Sequence, residues 1–326
     1  MKFSIVGPGH TPIPPIGWGA VESLIWDMRN VLIELGHEVD IVNKTDPKDI
    51  LDQINHYSPD FVHIHYDDWV GLYPYIQYPC VCTSHYGYLE RPNMFGGYVN
   101  IANAFSAIKP KIFCLSEGIK KVYQILMDIP EDRLFINPNG VNCKSFKVTD
   151  NPTLFDRSIY LAKVDYRKRQ HLFQSIDSLW YAGNIADDRF NTSKNYLGEW
   201  SKETLHNNLT EYGNLVLLSD GEAHPLVCME AFAAGLGVVV SEWGKANLDV
   251  DKKFITVIPE KHIHDIEFVE YEIEKNRIYS IQNRNEILEY AQTFDWKNVI
   301  QNTYLPNVNK VLERSTQNEG FILTKS

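Results

Sequence analysis

Asn214-Leu-Val-Leu-Leu-Ser-Asp-Gly-Glu-Ala-His-Pro-Leu-Val-Cys-Met-Glu-Ala-Phe-Ala-Ala-Gly-Leu-Gly-Val-Val-Val240 decides the fold. Asn214 to Leu218 is a short apolar run of strand length, Ser219 to His224 a polar loop, and Pro225 to Ala234 a helix. Pro225 suits the first helical turn, where its missing N–H costs nothing, and Gly235 suits the stop. Val238 to Val240 is the next strand. Strand, loop, helix and strand in this space predict a parallel βαβ unit. Its loop lies at the carboxyl end of a strand, where open α/β sheets bind ligands. The helix is apolar all round except at Glu230, and a buried carboxylate needs a partner or a ligand hydroxyl.

Outward from this unit the pattern repeats. Phe3 to Val6 is a buried strand broken by Gly7-Pro8-Gly9, and Thr11 to Gly19 is a Pro- and Gly-rich loop. A helix from Ala20 to Leu35 follows, with Val21, Leu24, Ile25, Met28, Leu32 and Leu35 at helical spacing and Gly36 as its stop. Strands are expected at Val39 to Val42, Phe61 to His65, near Val81, at Ile112 to Leu115 and at Leu134 to Ile136. Helices are expected near Ile50 and from Glu117. The polar stretch Lys147 to Arg157 reads as a linker, and Ile159 to Ala162 opens a second domain. Alternation of this kind implies parallel sheets covered on both faces. A tail from Arg314 to Ser326 is expected to fray.

At 326 residues the chain suits two domains. A net charge of −11 argues against a nucleic-acid partner, which needs a basic face. Five cysteines, odd in number and set mostly in apolar runs, read as reduced and structural, which places the protein in the cytoplasm. No run is long enough to cross a bilayer, and the N-terminal apolar stretch is too short for a signal peptide. His63 and His65 alternate in a strand with Asp67 and Asp68 beyond, which is no complete ligand set, so no metal is expected.

Four segments carry chemistry. Glu222 and Glu230 stand eight positions apart across the loop and helix of the βαβ unit. The spacing resembles the Glu-x7-Glu signature of the retaining GT-B glycosyltransferases, particularly the large family 4 group. Ser219 to Gly235 resembles that family's longer "EGFPL…EAxxxG" block, departing from it at Ala223 and His224. Pro14-Pro-Ile-Gly17-Trp18-Gly19-Ala-Val-Glu22 resembles its Gly-rich loop, and Leu161-Ala-Lys163-Val-Asp-Tyr-Arg-Lys168 its Gly-Arg-Leu-x-x-x-Lys, with Lys163 for the usual Arg. Thr83-Ser-His85-Tyr-Gly87 follows a strand where the family often carries an active-site His. Asn139 to Phe146 resembles the "NGVD…F" block, and Phe294-Asp-Trp296 the segment that crosses back to the first domain.

The resemblance implies α/β architecture of the GT-B type, two facing Rossmann-like domains with parallel sheets, the second abbreviated between Arg169 and Tyr212. An N-terminal acceptor domain would span 1–148 with a crossing helix at about 296–314, and a nucleotide-sugar donor domain 152–295. The implied activity is metal-independent, retaining hexosyl transfer from a UDP- or GDP-sugar to a carbohydrate or glycoconjugate acceptor, as in polysaccharide biosynthesis, with no cofactor beyond that substrate. His85, Glu222, Lys163 and Lys168 would serve catalysis. Gly17, Trp18, Gly19, Lys163, Lys168, His224, Pro225, Leu226, Val227 and Glu230 would hold the donor: the two lysines and the helix-start amides meet the diphosphate, and Glu230 the ribose. Arg167 and Arg169 read as a solvated basic turn. Rival readings are a non-catalytic nucleotide-sugar-binding accessory protein, a GT-B epimerase or phosphorylase, and a transferase docked on membranes through Lys109, Lys111, Lys120 and Lys121. No oligomeric state follows from the sequence.

Overall fold

Phe3, Ile5 and Val6 are fully buried in strand β1 (Lys2–Val6), because β1 is flanked on both edges and covered on both faces. It pairs in parallel with β2 (Glu38–Val42) and β3 (Phe61–Ile64). A computed structural model of the chain describes residues 1–17 and 19–323, with side chains through Arg314. β4 (Cys80–Cys82), β5 (Ile112–Cys114) and β6 (Leu134–Ile136) extend the sheet in the order β2-β1-β3-β4-β5-β6, all parallel.

The connecting helices are α1 (Ala20–Glu34), α2 (Pro47–Tyr57), α3 (Val99–Ile108) and α4 (Glu117–Leu126). α1 buries Leu24, Ile25, Met28 and Leu32 on one stripe. It ends at Gly36, whose φ of +84° lets the Gly36 and His37 amides turn back onto Ile33 and Leu32. α2 starts where the Asp46 carboxylate accepts from the Lys48 and Asp49 amides, and α4 where the Ser116 hydroxyl accepts from Ile119.

The second sheet, also wholly parallel, has the order β11-β10-β9-β7-β8. Its strands are β7 (Leu154–Leu161), β8 (Leu179–Ala182), β9 (Tyr212–Leu217), β10 (Gly237–Ser241) and β11 (Ile255–Ile258). Around it lie α5 (Lys202–Asn208), α6 (Leu226–Ala233), α7 (Ile266–Gln282) and α8 (Arg284–Ala291). β9 and β10 are completely buried along their length, each large apolar side chain contributing about 1.5–3 kcal/mol. Buried Asn276 of α7 ties the sheet to its cover, donating to Val238 O, Phe254 O and the Thr256 hydroxyl and accepting from Asn214.

After α9 (Trp296–Val299) and a π-turn at Ile300–Tyr304, α10 (Leu305–Leu323) packs back on the first sheet, where Asn307 Nδ2 donates 2.8 Å to Ile136 O at the end of β6. The chain thus divides into two units, one holding Met1–Asn139 and the segment from Trp296 onward, the other Gly140–Asp295.

Two local expectations are corrected. Leu154 to Arg157 is not linker but the start of β7, held by pairing of Leu154 with Tyr212. The chain from Arg314 does not fray at once; helix continues to Leu323. The segment between Lys168 and Asn214 is abbreviated as expected: it holds only two 3₁₀ turns (Gln170–Phe173 and Leu209–Glu211), β8, α5 and the start of β9.

Candidate functional site

β7 runs to β8 on one side, and the chain then crosses to β9 on the other, which makes the β7/β9 boundary a topological switch point. The loops leaving these two strands carry the residues singled out from the sequence. Lys163 follows β7 and is exposed, with no ion pair among the described residues. Five residues on, Lys168 is buried, and its ammonium donates to Oε1 of Glu222 in the loop after β9. Arg167 Nη1 lies 3.3 Å from the same oxygen and donates 2.6 Å to Gly221 O. Burial by itself would raise the Glu222 carboxyl; Lys168 and Arg167 outweigh it and hold the group below the usual carboxylate range. Burial also lowers the Lys168 ammonium, with Glu222 opposing.

The backbone is fixed as firmly as the charges. Leu218 N donates 2.9 Å to the buried Tyr160 hydroxyl, which in turn donates to Lys168 O, so one phenol bolts the two loops together. Asp220 N donates 2.7 Å to Arg167 O. Beside it Arg169, in a left-handed turn at φ +58°, forks between Asp220 and Glu260. Arg167 and Arg169 are therefore not a solvated turn. Their partners lie far away in sequence, which no local pattern reveals.

Pro225 is extended (φ −70°, ψ 111°) and α6 begins at Leu226 with no side-chain cap, leaving the Leu226 and Val227 amides at the positive end of the helix. Such an end suits an anion. Buried His224 packs its ring 6.2 Å from Phe294. Glu230, one turn into α6, is only 13% exposed and accepts 2.7 Å from Lys202 at the start of α5, a partner absent from the sequence expectation.

The other unit has its own switch point, between β1 and β3. Beyond β1, Gly9 adopts φ +86°, and a Cβ there would meet Lys44 O at 2.2 Å, so only glycine fits. Asn43 pins this loop, accepting from Gly9 N and donating to Thr11 O. Gly17 is exposed, and Gly19 precedes α1 with Pro15 packed where a Cβ would go. Trp18 lies outside the described residues.

Three imidazoles gather at the carboxyl ends of β3 and β4, His63 within β3 and His65 and His85 just beyond the strands. His63 Nε2 lies 2.8 Å from the Thr83 hydroxyl, which donates 3.1 Å to Phe113 O. The His63 and His65 rings are 3.8 Å apart, and His65 Nδ1 is 3.1 Å from His85 Nε2. Burial pushes all three well down, His85 to about 4, so all are neutral near pH 7. Asp67, which accepts 2.8 Å from the Ser84 hydroxyl, is pushed up by burial to about 7. No group of three or more His, Cys, Asp or Glu among the described residues is placed to hold a metal ion. No helix among them is long and apolar enough to cross a membrane.

Solved structures share this architecture along nearly the whole chain. Sucrose-phosphate synthase from Thermosynechococcus elongatus superposes with a TM-score of 0.71 at 13% identity, covering 100% of both chains. AviGT4, a glycosyltransferase involved in avilamycin A biosynthesis, gives 0.71 at 15% identity over 96% of this chain and 98% of its own. Anabaena HepE, solved in complex with UDP-glucose, gives 0.66 at 13% identity over 96% and 100%. The fold is GT-B. No protein-family model matches the chain, and no curated protein matches it.

Within this GT-B chain the structure brings Lys168, Glu222, Pro225, Leu226 and Val227 to one switch point and leaves Lys163 free beside it. Glu230 lies further along the same helix, and His85 and the glycine loop belong to the other unit. Arg167, Arg169 and Asp67 were named from the sequence but given other readings, and Asp220, Glu260 and Lys202 were missed. Of these only Asp220 had a signal, as a loop acid two residues before Glu222 in the stretch already singled out.

Proposed function

We propose that the chain is a retaining glycosyltransferase resembling family 4, moving a hexosyl group from a UDP- or GDP-sugar to a carbohydrate or glycoconjugate acceptor without a metal ion. One observation carries the reading. A buried Lys168–Glu222 pair and an uncapped helix N-terminus meet at the β7/β9 switch point, with Glu230 on that same helix. Together they supply cationic and amide groups suited to a diphosphate and carboxylates suited to sugar and ribose hydroxyls.

In this reading the second unit binds the donor and the first the acceptor. Lys163 and Lys168, with the Leu226 and Val227 amides, stabilise the charge that grows on the leaving diphosphate. Glu222 accepts from hydroxyls of the transferred sugar and Glu230 from the ribose diol. The neutral His85 donates or accepts at the sugar rather than supplying charge. The leaving phosphate oxygen takes the acceptor proton on the face it vacates, so anomeric configuration is kept and no protein base is needed. Free, mostly buried thiols suit a cytoplasmic enzyme of this kind.

A thermal-shift panel of UDP-, GDP-, ADP- and dTDP-sugars, with and without EDTA, tests this. One nucleotide class should raise the melting temperature by several degrees, unaffected by EDTA and lost in Glu230→Ala. No response to any nucleotide sugar would sink the reading; a response without turnover would turn it into the accessory-protein one.

A further inference from the structure

We infer that His65 is a positioning residue that fixes His85 as a hydrogen-bond donor through Nδ1, aimed at an oxygen of the bound sugar; the aim, though not the tautomer, rests on the transferase reading above. The inference follows from counting protons on the three buried imidazoles. Each neutral ring has one N–H and one bare nitrogen, and a buried N–H without a partner is rarer than a bare acceptor without one.

At His63 the count is settled by Thr83. The threonine hydroxyl has a single proton, donated to Phe113 O, so it must accept from His63 Nε2–H. His63 Nδ1 is then bare, and it is buried without a partner. At His65 the buried, unpartnered nitrogen is Nε2. Placing the proton there would bury an orphan donor, so it belongs on Nδ1, which faces His85 Nε2 at 3.1 Å. His65 donates and His85 Nε2 accepts. The proton of His85 is thereby forced onto Nδ1, which nothing among the described residues engages.

The near-parallel His65 and His85 rings, 14° between planes and 5.5 Å apart, hold the donor's direction. His65 is itself wedged against His63, which stacks on Tyr304 at 5.6 Å. The cluster thus works as a stack of fixed tautomers ending in one outward N–H. Ligands offering only hydroxyl protons, with no oxygen lone pair free at that point, would be discriminated against.

The test uses the full chain labelled with ¹⁵N at histidine, and long-range ¹H–¹⁵N spectra with His85 assigned by its disappearance in His85→Gln. His85 should be protonated at Nδ1 and bare at Nε2. The opposite tautomer overturns the inference with no variant at His65 needed. His65→Leu should release His85 to a mixture of tautomers and lower kcat about tenfold, one hydrogen bond's worth, with KM moving less. His65→Asn, whose side-chain amide restores a donor, should return kcat to within about threefold of wild type. Equal losses in both variants, or an unchanged His85 tautomer in His65→Leu, would overturn it. If the chain transfers no sugar at all, the spectra still decide the tautomer, so the two readings fail separately.

Discussion

Lys168 donates its ammonium to Oε1 of Glu222 across 54 positions of sequence, and each side chain is only 10% exposed. Two loops that leave neighbouring strands are thereby locked by charge at the point where the sheet's strand order reverses.

The lock is lopsided, which makes its removal informative. Glu222→Gln strands the buried Lys168 ammonium and takes one partner from Arg167, and should cost about 3 kcal/mol or more. Lys168→Met leaves Glu222 its contact with Arg167 at 3.3 Å and should cost clearly less. Urea unfolding of both variants at pH 7 checks the order; equal losses would show that Arg167 shares little of the charge.

Arg169→Lys keeps the charge but loses the fork that reaches Asp220 and Glu260 together. A loss of about 1–3 kcal/mol in urea unfolding is expected. A variant as stable as wild type would mean that the fork is ornamental to the loop.

The Lys202–Glu230 pair stands in contrast, because Lys202 is 46% exposed. Lys202→Met should change stability by less than about 1 kcal/mol. Nucleotide affinity, read by calorimetric titration, should drop about tenfold if the lysine holds Glu230 in place. An unchanged affinity would show that Glu230 orients itself.

Acid should loosen the first unit. Below pH 6.5 the unfolded chain protonates His63, His65 and His85, while the folded chain resists, His85 down to about 4. Stability complete above 6.5 is therefore lost as pH falls toward 4, by up to about 1.4 kcal/mol per pH unit per imidazole. Asp67 acts with the opposite sign. Folded, it keeps its proton up to about 7, whereas unfolded it ionises near 3.8, so its contribution worsens as pH rises through that window. Three imidazoles outweigh one carboxyl, so the urea midpoint should be lower at pH 5 than at pH 7. Asp67→Asn should raise stability at pH 7.5, where the wild-type carboxyl must ionise in a buried place; no gain would refute the assignment.

Much of this was legible beforehand, and what was not has a physical pattern. The strand Leu134–Ile136 and the start of α1 at Ala20 stand where the sequence puts them, since apolar spacing, Gly36 and the parallel sheet all agree. The β7 extension from Leu154 was hidden because its first residues show no alternation, with Phe155 and Asp156 both exposed, and pair only with the distant Tyr212. Glu222 and Lys168 were legible by resemblance, but their bond to each other was not. Arg169 looked like solvent-facing charge for the same reason: Glu260 lies 91 positions away. Local chemistry is written in the neighbouring residues; long-range pairing is written only in topology.

Tyr304 closes the floor of the first unit, stacking on His63 and lying 6.1 Å from Phe3 and 5.6 Å from Phe113. The ribosome makes Tyr304 only after the whole of Gly140–Asp295 has been synthesised. The unit begun first is therefore the unit finished last, and a stall before Trp296 would release a second unit with every strand in hand beside a first whose aromatic floor is still open.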